Sequence, residues 1–318
     1  MKGRIICITP IEHLEGVYER LEEYGNFFYE PNITKDELSK RLSNWKDIQY
    51  LFTNPNKQNF VLDEKVLGNS NIKVINTCST GLNHIDMNYC ERNNIEVLSL
   101  KEDFELINEL PSTAELSFGL MMSLLRKIPE GFNSVKKGEW DYEPFIGRQV
   151  KGLTIGIIGY GRLGKILVKL LSGWGVKIMV NDPYVEVDDE NCIRTTMSEL
   201  WKQSDVIFLH LHVTDTTKTM VGDYFLSNMK KGSVLINTSR GELVDEEAIM
   251  KSITDGHLGG YGTDVISDEF GNISDSKLVK FSRENDNVLI TPHVGGMTWE
   301  GQTKAYKWAM DKFGGING

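Results

Sequence analysis

The chain has few of the features that mark secreted proteins or cysteine-based metal proteins. Among its 318 residues there are four cysteines, Cys7, Cys78, Cys90 and Cys192, and no two of them have C-x-x-C spacing. This count and spacing predict neither a disulfide framework nor a zinc site, and no other metal site is expected. The sequence therefore predicts reduced, partly buried thiols in a cytoplasmic protein.

Long apolar runs and dense basic clusters are also missing. No segment approaches the about 20 apolar residues that a membrane-spanning helix needs. The short apolar run near the N-terminus resembles a strand, and no small-residue cleavage site follows it. Acidic residues outnumber basic ones by 45 to 35, and no block of lysine or arginine is dense enough to follow a phosphate backbone. Neither a membrane nor a nucleic acid is predicted as a partner.

Short β-rich apolar runs alternate with helical patterns along the whole chain. The predicted strands are residues 4–9, 48–53, 72–78 and 95–100 in the first third, then 153–158, 176–181, 206–211, 234–238, 260–265 and 288–291. This alternation is typical of parallel sheets with crossover helices. The sequence predicts an α/β protein with two doubly wound parallel-sheet domains.

Two helices have capping signals. Thr34 and Glu37 have the spacing of a capping box, and so do Ser112 and Glu115. The second helix has a long apolar face, and Pro129 is expected to end it. Such a helix between two domains is either core or part of a dimer interface.

A glycine-rich turn, G-Y-G-R-L-G, follows the strand predicted at 153–158. Gly159 would make the turn, Gly161 would let the backbone approach a pyrophosphate, and Gly164 would let the next helix pack on the sheet. Asp182 ends the following strand at about the 20-residue distance expected for an acid that binds ribose hydroxyls. The acid would repel a 2′-phosphate, so the pattern favours NAD over NADP. The alternative is a tight βα turn with a loop acid.

Three later strand ends carry chemically active side chains. Arg240 offers a planar fork of donors for a carboxylate, or an ion pair with Glu242 or Asp245. His293, in T-P-H-V-G-G, is a packing residue, a metal ligand or a proton donor. Glu269 is the carboxylate that could accept the second N–H of the imidazole and raise its pKa. Together the three suit anchoring an acid and transferring a proton beside NAD.

The motifs occur in a specific order. G-Y-G-R-L-G (159–164), N-T-S-R-G-E-L-V-D-E (237–246), T-D-V-I-S-D-E (263–269) and T-P-H-V-G-G (291–296) follow S-T-G-L-N-H-I-D (79–86). Over nearly the whole chain, this series resembles the D-isomer-specific 2-hydroxyacid dehydrogenase family.

The resemblance implies an NAD-dependent oxidoreductase that transfers a hydride between nicotinamide and C2 of a D-2-hydroxy acid or 2-keto acid. Arg240 would bind the substrate carboxylate and carbonyl, Glu269 would orient the imidazole, and His293 would be the acid/base. The backbone at Thr80, Gly81 and Leu82 would also bind the substrate carboxylate. The implied cofactor contacts are Gly159, Gly161, Arg162, Leu163, Gly164, Asp182, Pro183, His210, Thr217, Thr238, Ser239, Asp264 and Gly295.

The resemblance also implies a domain arrangement and an assembly. A Rossmann NAD-binding domain would span 105–294, inserted into a flavodoxin-like substrate domain made of 1–104 and 295–318. In the substrate domain, the helix predicted at 298–313 would pack on the first sheet. The implied partners are a small 2-hydroxy or 2-keto acid and a second copy of the chain, with 111–144 in the homodimer interface.

The sequence departs from the family pattern at two places. Phe270 follows Glu269 where the family commonly has proline, and His210-Leu211-His212 stands where His-Val-Pro is usual. Two other functions remain open, a non-enzymatic NAD-binding regulator on this fold and a Rossmann-type methyltransferase. A phosphorylated substrate would need cations, and the loop at 53–58 offers only Lys57.

Overall fold

A computed structural model describes residues 4–55 and 57–315. The chain divides into two compact units, 1–110 with 297–318 and 111–296. The sequence placed these boundaries at 104/105 and 294/295, a few residues earlier. Residues 1–3, 56 and 316–318, which the predicted domains include, lie outside the described residues.

The first unit contains a five-stranded parallel sheet. Its strands are β1 (Arg4–Cys7), β2 (Phe27–Tyr29), β3 (Ile48–Thr53), β4 (Val74–Thr77) and β5 (Glu96–Leu98). They are ordered β2-β1-β3-β4-β5, which is the flavodoxin-like order. The sequence missed β2, whose three residues are all half-buried and show no alternation.

Four helices connect these strands: α1 (Val17–Glu22), α2 (Lys35–Asn44), α3 (Glu64–Leu67) and α4 (Met87–Arg92). A fifth helix, α5 (Phe104–Ile107), follows β5. The capping box of α2 forms as predicted, because the Thr34 side chain accepts from the Glu37 N–H and the Glu37 carboxylate accepts from the Thr34 N–H. In α5, Leu106 and Ile107 are buried in the core of this unit, which explains why the boundary lies beyond position 104.

The second unit contains a seven-stranded parallel sheet. Its strands are β6 (Thr154–Ile158), β7 (Lys177–Asn181), β8 (Ile193–Arg194), β9 (Val206–Leu209), β10 (Val234–Asn237), β11 (Gly260–Thr263) and β12 (Val288–Ile290). The order β8-β7-β6-β9-β10-β11-β12 extends the Rossmann order by one strand. The sequence missed β8, which is two exposed residues long. The prediction of two doubly wound parallel-sheet domains is confirmed.

The helices of this unit are α6 (Ser112–Leu125), α7 (Ile128–Lys136), α8 (Arg162–Leu171), α9 (Met197–Gln203), α10 (Asp223–Asn228), α11 (Glu246–Thr254) and α12 (Lys277–Ser282). Helix α6 is a core helix of this unit, with Ala114, Leu120, Met121 and Leu125 buried against the sheet.

Two predictions about α6 are wrong. The N-cap residue is Pro111, and no side-chain cap forms, because Ser112 is already the first helical residue. Pro129 does not end α6; it lies in the first turn of α7, after α6 has ended at Leu125. Proline suits that position since an N–H there has no intrahelical acceptor.

The last helix, α13 (Trp299–Gly315), belongs to the first unit. Tyr306, Ala309, Met310 and Phe313 are buried in the core of that unit, and the carbonyl oxygen of Ala309 accepts a 2.7 Å hydrogen bond from the Asn76 amide. The first unit is therefore built from both ends of the chain. No helix within 4–55 and 57–315 is both long and apolar enough to cross a membrane.

Candidate active site

The glycine-rich turn joins β6 to α8. Gly159 has φ +98°, and a Cβ there would overlap the carbonyl oxygen of His210. A Cβ at Gly164 would overlap the carbonyl oxygen of Gly159, so the start of α8 can lie against the turn only without a side chain. At Gly161 a Cβ would meet nothing within 4 Å. Glycines 159 and 164 are thus required by packing, whereas Gly161 faces open space that a ligand can fill.

Helix α8 begins beside this open space. Gly161 is its N-cap residue and has no side chain to accept from the first N–H groups of the helix. The Leu163 side chain is partly buried against the core. Arg162 is half-buried, and burial lowers the pKa of its guanidinium. The N–H groups at a helix start bind phosphate, and a glycine turn leading into a helix fits a pyrophosphate.

Asp182 lies directly after β7 and is 8% exposed. One carboxylate oxygen accepts a 2.7 Å hydrogen bond from the Tyr160 N–H in the glycine turn. The other accepts from the N–H groups of Tyr184 and Val185 at 2.8 and 3.0 Å. The acid therefore holds the glycine turn and its own loop, which includes the exposed Pro183. Only the oxygen that accepts from Tyr160 keeps a further lone pair for a ribose hydroxyl.

His210 lies just after β9, although the strand predicted from the sequence, 206–211, includes it. The His210 ring is nearly parallel to that of Phe208, with centroids 6.3 Å apart. Both ring nitrogens are buried, and neither has a hydrogen-bond partner among the described residues. Burial, with a smaller effect of Arg162, lowers the pKa of His210 to about 4, so the imidazole is neutral near pH 7.

Three hydroxyl residues of the predicted cofactor set are engaged within the protein. Thr238 and Ser117 are hydrogen-bonded through their hydroxyls at 2.7 Å. The Ser239 hydroxyl donates to the carbonyl oxygen of Leu209 at 2.7 Å. The Thr217 hydroxyl donates at 2.7 Å to the carbonyl oxygen of His212. These side chains shape the strand ends and loop around the predicted cofactor site.

Arg240 is half-buried at the point where the chain leaves β10. Its guanidinium donates to the carbonyl oxygen of Ser239 at 2.6 Å. Asn237, the last residue of β10, donates through its side-chain amide to the Arg240 carbonyl oxygen and accepts from the Ser239 N–H. The sequence left an ion pair between Arg240 and Asp245 open, but in the structure the Asp245 side chain caps the N-terminus of α11. The side chain of Asn237 thus holds the backbone on both sides of position 239.

His293 and Glu269 are in direct contact. The imidazole Nδ1 lies 2.7 Å from a Glu269 carboxylate oxygen, and the two side chains are 41% and 18% exposed. The hydrogen bond to Glu269 raises the pKa of His293, while burial and the nearby Arg240 oppose this change and Asp264 assists it. The structure therefore brings the three predicted catalytic side chains together on the ends of neighbouring strands.

The backbone at His293 is in the left-handed region, with φ +52°. Such a conformation is uncommon for a residue with a side chain and persists where the surroundings enforce it. Asp264 does so here, because its carbonyl oxygen accepts from the His293 N–H and its carboxylate accepts from the N–H groups of Val294 and Gly295. Burial raises the pKa of Asp264 against these hydrogen bonds.

The predicted substrate loop lies in the first unit, after β4. The Ser79 hydroxyl donates to the carbonyl oxygen of Gly81 at 2.7 Å and is 3.0 Å from the Thr77 hydroxyl. Thr80 is exposed, and Leu82 packs on the core. The contacts of Ser79 and Leu82 thus fix the loop on the first unit, while Thr80 is exposed to solvent.

Metal ligation finds no support in the described ranges. No group of three or more His, Cys, Asp or Glu side chains there is arranged to hold a metal ion. The four cysteines are free, and three of them are buried.

Two residues near the site were not singled out from the sequence. One is Asn237, described above. The other is Glu246, the first residue of α11, which accepts a 2.8 Å hydrogen bond from the Ser267 N–H. An asparagine at a strand end and a glutamate in the first turn of a helix are both common, so neither carries a signal by itself.

Residues 118–295 match the model of a protein family described as "D-isomer specific 2-hydroxyacid dehydrogenase, NAD binding domain". The chain belongs to this family. The matched range begins in α6 and ends at Gly295, and so includes the glycine turn and the Arg240, Glu269 and His293 segments. The prediction of family membership and the prediction of NAD as the cofactor are confirmed.

Relatives in this family cover most of the chain. It is 31% identical over 306 residues to a D-3-phosphoglycerate dehydrogenase of Methanocaldococcus jannaschii, an alignment that covers 95% of this chain and 55% of the relative. It is 32% identical over 239 residues to a hydroxypyruvate reductase of Thermotoga maritima, with 74% of each chain covered. The chain thus spans about half the length of the first relative and about three quarters of the second.

A solved structure of the family has the same fold. The D-lactate dehydrogenase from Aquifex aeolicus, complexed with NAD and lactic acid, aligns with a TM-score of 0.79 at 26% identity. The alignment covers 99% of this chain and 95% of that one. The two-sheet architecture is therefore that of the family.

Proposed function

We propose that this protein is an NAD-dependent oxidoreductase that interconverts 2-keto acids and D-2-hydroxy acids. The observation that carries the proposal is the Glu269–His293 hydrogen bond near Arg240, beyond the ends of β10, β11 and β12, at the same edge of the parallel sheet as the glycine turn. Carbonyl reduction requires a group that protonates the carbonyl oxygen and a group that stabilises the negative charge developing there. An imidazole in a fixed tautomer and a permanent cation serve these two roles.

Each side chain has a defined task in the reducing direction. Arg240 binds the substrate carboxylate and stabilises the negative charge that develops on the carbonyl oxygen. His293 donates the Nε2 proton to that oxygen while Glu269 holds Nδ1. When bound, NADH supplies the hydride that adds to C2, so that one hydride and one proton convert the carbonyl to a hydroxyl.

The Glu269 contact extends the pH range of this proton transfer. Reduction requires protonated His293, and a raised pKa keeps the imidazole protonated at a pH above its ordinary titration range. The rate of reduction should therefore fall only as the pH rises through this raised pKa.

The cofactor residues favour NAD over NADP. Asp182 follows β7, where its carboxylate can accept from a ribose hydroxyl and would repel a 2′-phosphate. The neutral His210, whose buried ring nitrogens lack partners among the described residues, offers one donor and one acceptor beside the glycine turn.

We further propose that the substrate is a short acid without a phosphate group. Relatives act, by their names, on phosphorylated and unphosphorylated acids. In the loop after β3, Lys57 donates to the Asn32 side chain at 2.9 Å, and its neighbour Asn54 is buried and uncharged. A phosphate would need cations, preferably arginine, at such a loop.

A substrate panel tests both parts of the proposal. Purified protein with NADH and glyoxylate, pyruvate, hydroxypyruvate or 3-phosphohydroxypyruvate should oxidise NADH fastest with an unphosphorylated acid, by a factor of about 10 or more in kcat/KM. NADPH should support much slower turnover. Preference for the phosphorylated acid would refute the substrate class, and NADH binding without turnover on any acid would favour the non-enzymatic regulator.

We also propose that the protein is a homodimer. In α7 and the segment after it, the large apolar side chains Ile128, Phe132, Val135, Trp140 and Tyr142 are all more than half exposed. Ile128, Phe132 and Val135 have i, i+4, i+7 spacing and share one helix face. Apolar faces of this kind mark interfaces, and a second copy is the partner implied by the family.

Sedimentation measures the assembly directly. The native protein should sediment at twice the chain mass, and a Phe132→Asp, Val135→Asp variant should sediment as a folded monomer. The control is Tyr224→Asp, which charges an exposed aromatic position elsewhere in the second unit. A native monomer would refute the proposal.

A further inference from the structure

Glu269 lies on a loop that lacks the proline commonly found after this glutamate in the family. The chain leaves the core at Ile266, which is 5% exposed. Ser267 and Asp268 are exposed, and Glu269 follows them in a turn. Proline would restrict the backbone of such a turn, whereas Phe270 does not. Another feature must therefore hold Glu269 toward His293.

Two contacts hold the loop at its base. The backbone of Gly241, directly after Arg240, lies so close to Ile266 and Ser267 that a Cβ at 241 would overlap their backbone atoms. The carboxylate of Glu246 accepts the Ser267 N–H at 2.8 Å. Both contacts precede Glu269 by two or three residues, and they connect the Arg240 segment, the start of α11 and the Glu269 loop.

We propose that Glu246 is a positioning residue, whose hydrogen bond to the Ser267 N–H holds the Glu269 carboxylate against His293. This inference rests on the proposed function for its catalytic consequence, but its structural part concerns the Glu269–His293 contact alone. The bond is 2.8 Å long, and it needs an acceptor oxygen at the end of a side chain of this length.

The state of His293 reports on this arrangement. The charged groups that affect the pKa of His293 are Glu269 and Asp264, which raise it, and Arg240, which lowers it. The Glu269 hydrogen bond has the largest effect. If the loop moves and this bond is populated less, Arg240 remains while part of the stabilisation of the charged imidazole is lost. The pKa of His293 should then fall.

Three substitutions distinguish the hydrogen bond that Glu246 accepts from the effect of its negative charge. Glu246→Ala removes the acceptor. Glu246→Asp keeps the charge but is one methylene shorter, so it should no longer reach the Ser267 N–H. Glu246→Gln loses the charge but keeps an acceptor oxygen at the same distance. Anchoring predicts that alanine and aspartate behave alike, whereas glutamine behaves like the native residue.

Glu247 provides a matched control. It lies next to Glu246 in the first turn of α11, and its carboxylate pairs with Lys277 at 2.6 Å on the surface. Glu247→Ala removes the same charge from the same helix terminus without affecting the Ser267 N–H. Effects of α11 stability or of the helix dipole should be equal in both positions.

NMR titration of the histidine rings in the intact protein tests the inference without substrate. The chain has six histidines, and the His293 signal is the one that a His293→Asn spectrum lacks. The pKa of His293 should fall by about half a unit or more in Glu246→Ala and Glu246→Asp, and should remain near native in Glu246→Gln and Glu247→Ala. The alkaline limb of the keto acid reduction profile should move to lower pH by the same amount.

Two results would overturn the inference: an unchanged His293 pKa in the alanine and aspartate variants, or an equal shift in the glutamine variant, which would indicate charge rather than anchoring. If the NMR shifts appear but the native protein reduces no 2-keto acid, the proposed function fails while the positioning role stands. Should Glu246→Ala not fold, the aspartate and glutamine variants decide the question.

Discussion

His293→Asn should lower kcat for 2-keto acid reduction about 10²–10⁴-fold, which is the usual contribution of a general acid. Asparagine is a better replacement than alanine here, because position 293 has φ +52° and asparagine tolerates the left-handed region. The variant keeps the loop conformation but cannot donate a titrating proton. Steady-state turnover with saturating NADH and the preferred acid measures the loss.

The affinity for NADH shows whether the His293→Asn variant has lost only the chemical step or has also lost the structure of the site. Its affinity for the His293→Asn variant, followed by nicotinamide fluorescence, should stay within about threefold of native, since the glycine turn and Asp182 are untouched. His13→Asn is the control, because His13 is exposed in the first unit and contacts Gln302. Native turnover in the His293 variant would remove this residue from the mechanism.

Arg240→Gln should have the second large effect. The change removes the permanent charge and the planar fork of donors, so KM for the keto acid should rise and kcat should fall by about 10²–10³-fold. Arg240→Lys should recover only part of the loss, because an ammonium group keeps the charge without the two parallel donors. Initial rates over a wide range of keto acid concentration separate the two parameters.

A surface arginine controls for general effects of losing a positive charge. Arg283 is exposed where α12 ends, and Arg283→Gln should leave both kinetic parameters near native. The proposed role of Arg240 predicts normal NADH affinity in all three variants. A rise in the Kd for NADH with unchanged keto acid kinetics would instead assign Arg240 to the cofactor.

Much of the fold follows from local patterns. Within 4–55 and 57–315, ten of the twelve strands coincide with apolar runs, because a parallel strand covered on both faces must be apolar throughout. The two missed strands, β2 and β8, are short edge strands whose side chains are only partly buried or exposed, so they carry no such run. Their pairing depends on the neighbouring strand.

The helix errors have a similar cause. The spacing of Ser112 and Glu115 is that of a capping box, but spacing alone does not fix the residue at which the helix begins. In the structure it begins at Ser112, so the serine is inside the helix and cannot cap it. Proline is compatible both with the end of one helix and with the first turn of the next. Pro129 is in a first turn because the chain turns between α6 and α7, before the proline.

The sequence by itself determined the alternation of strands and helices, the glycine turn and the order of the segments that carry Arg240, Glu269 and His293. Only the tertiary structure decided that His293 has a left-handed backbone conformation, which hydrogen bonds to Asp264 maintain. It also decided that Glu246 accepts a hydrogen bond from the Ser267 N–H, in the loop that carries Glu269. Glu246 and Ser267 are 21 residues apart. Periodicity and spacing indicate which residues share a strand, helix or turn. A bond between the start of a helix and a distant loop depends on where the two lie in the folded chain.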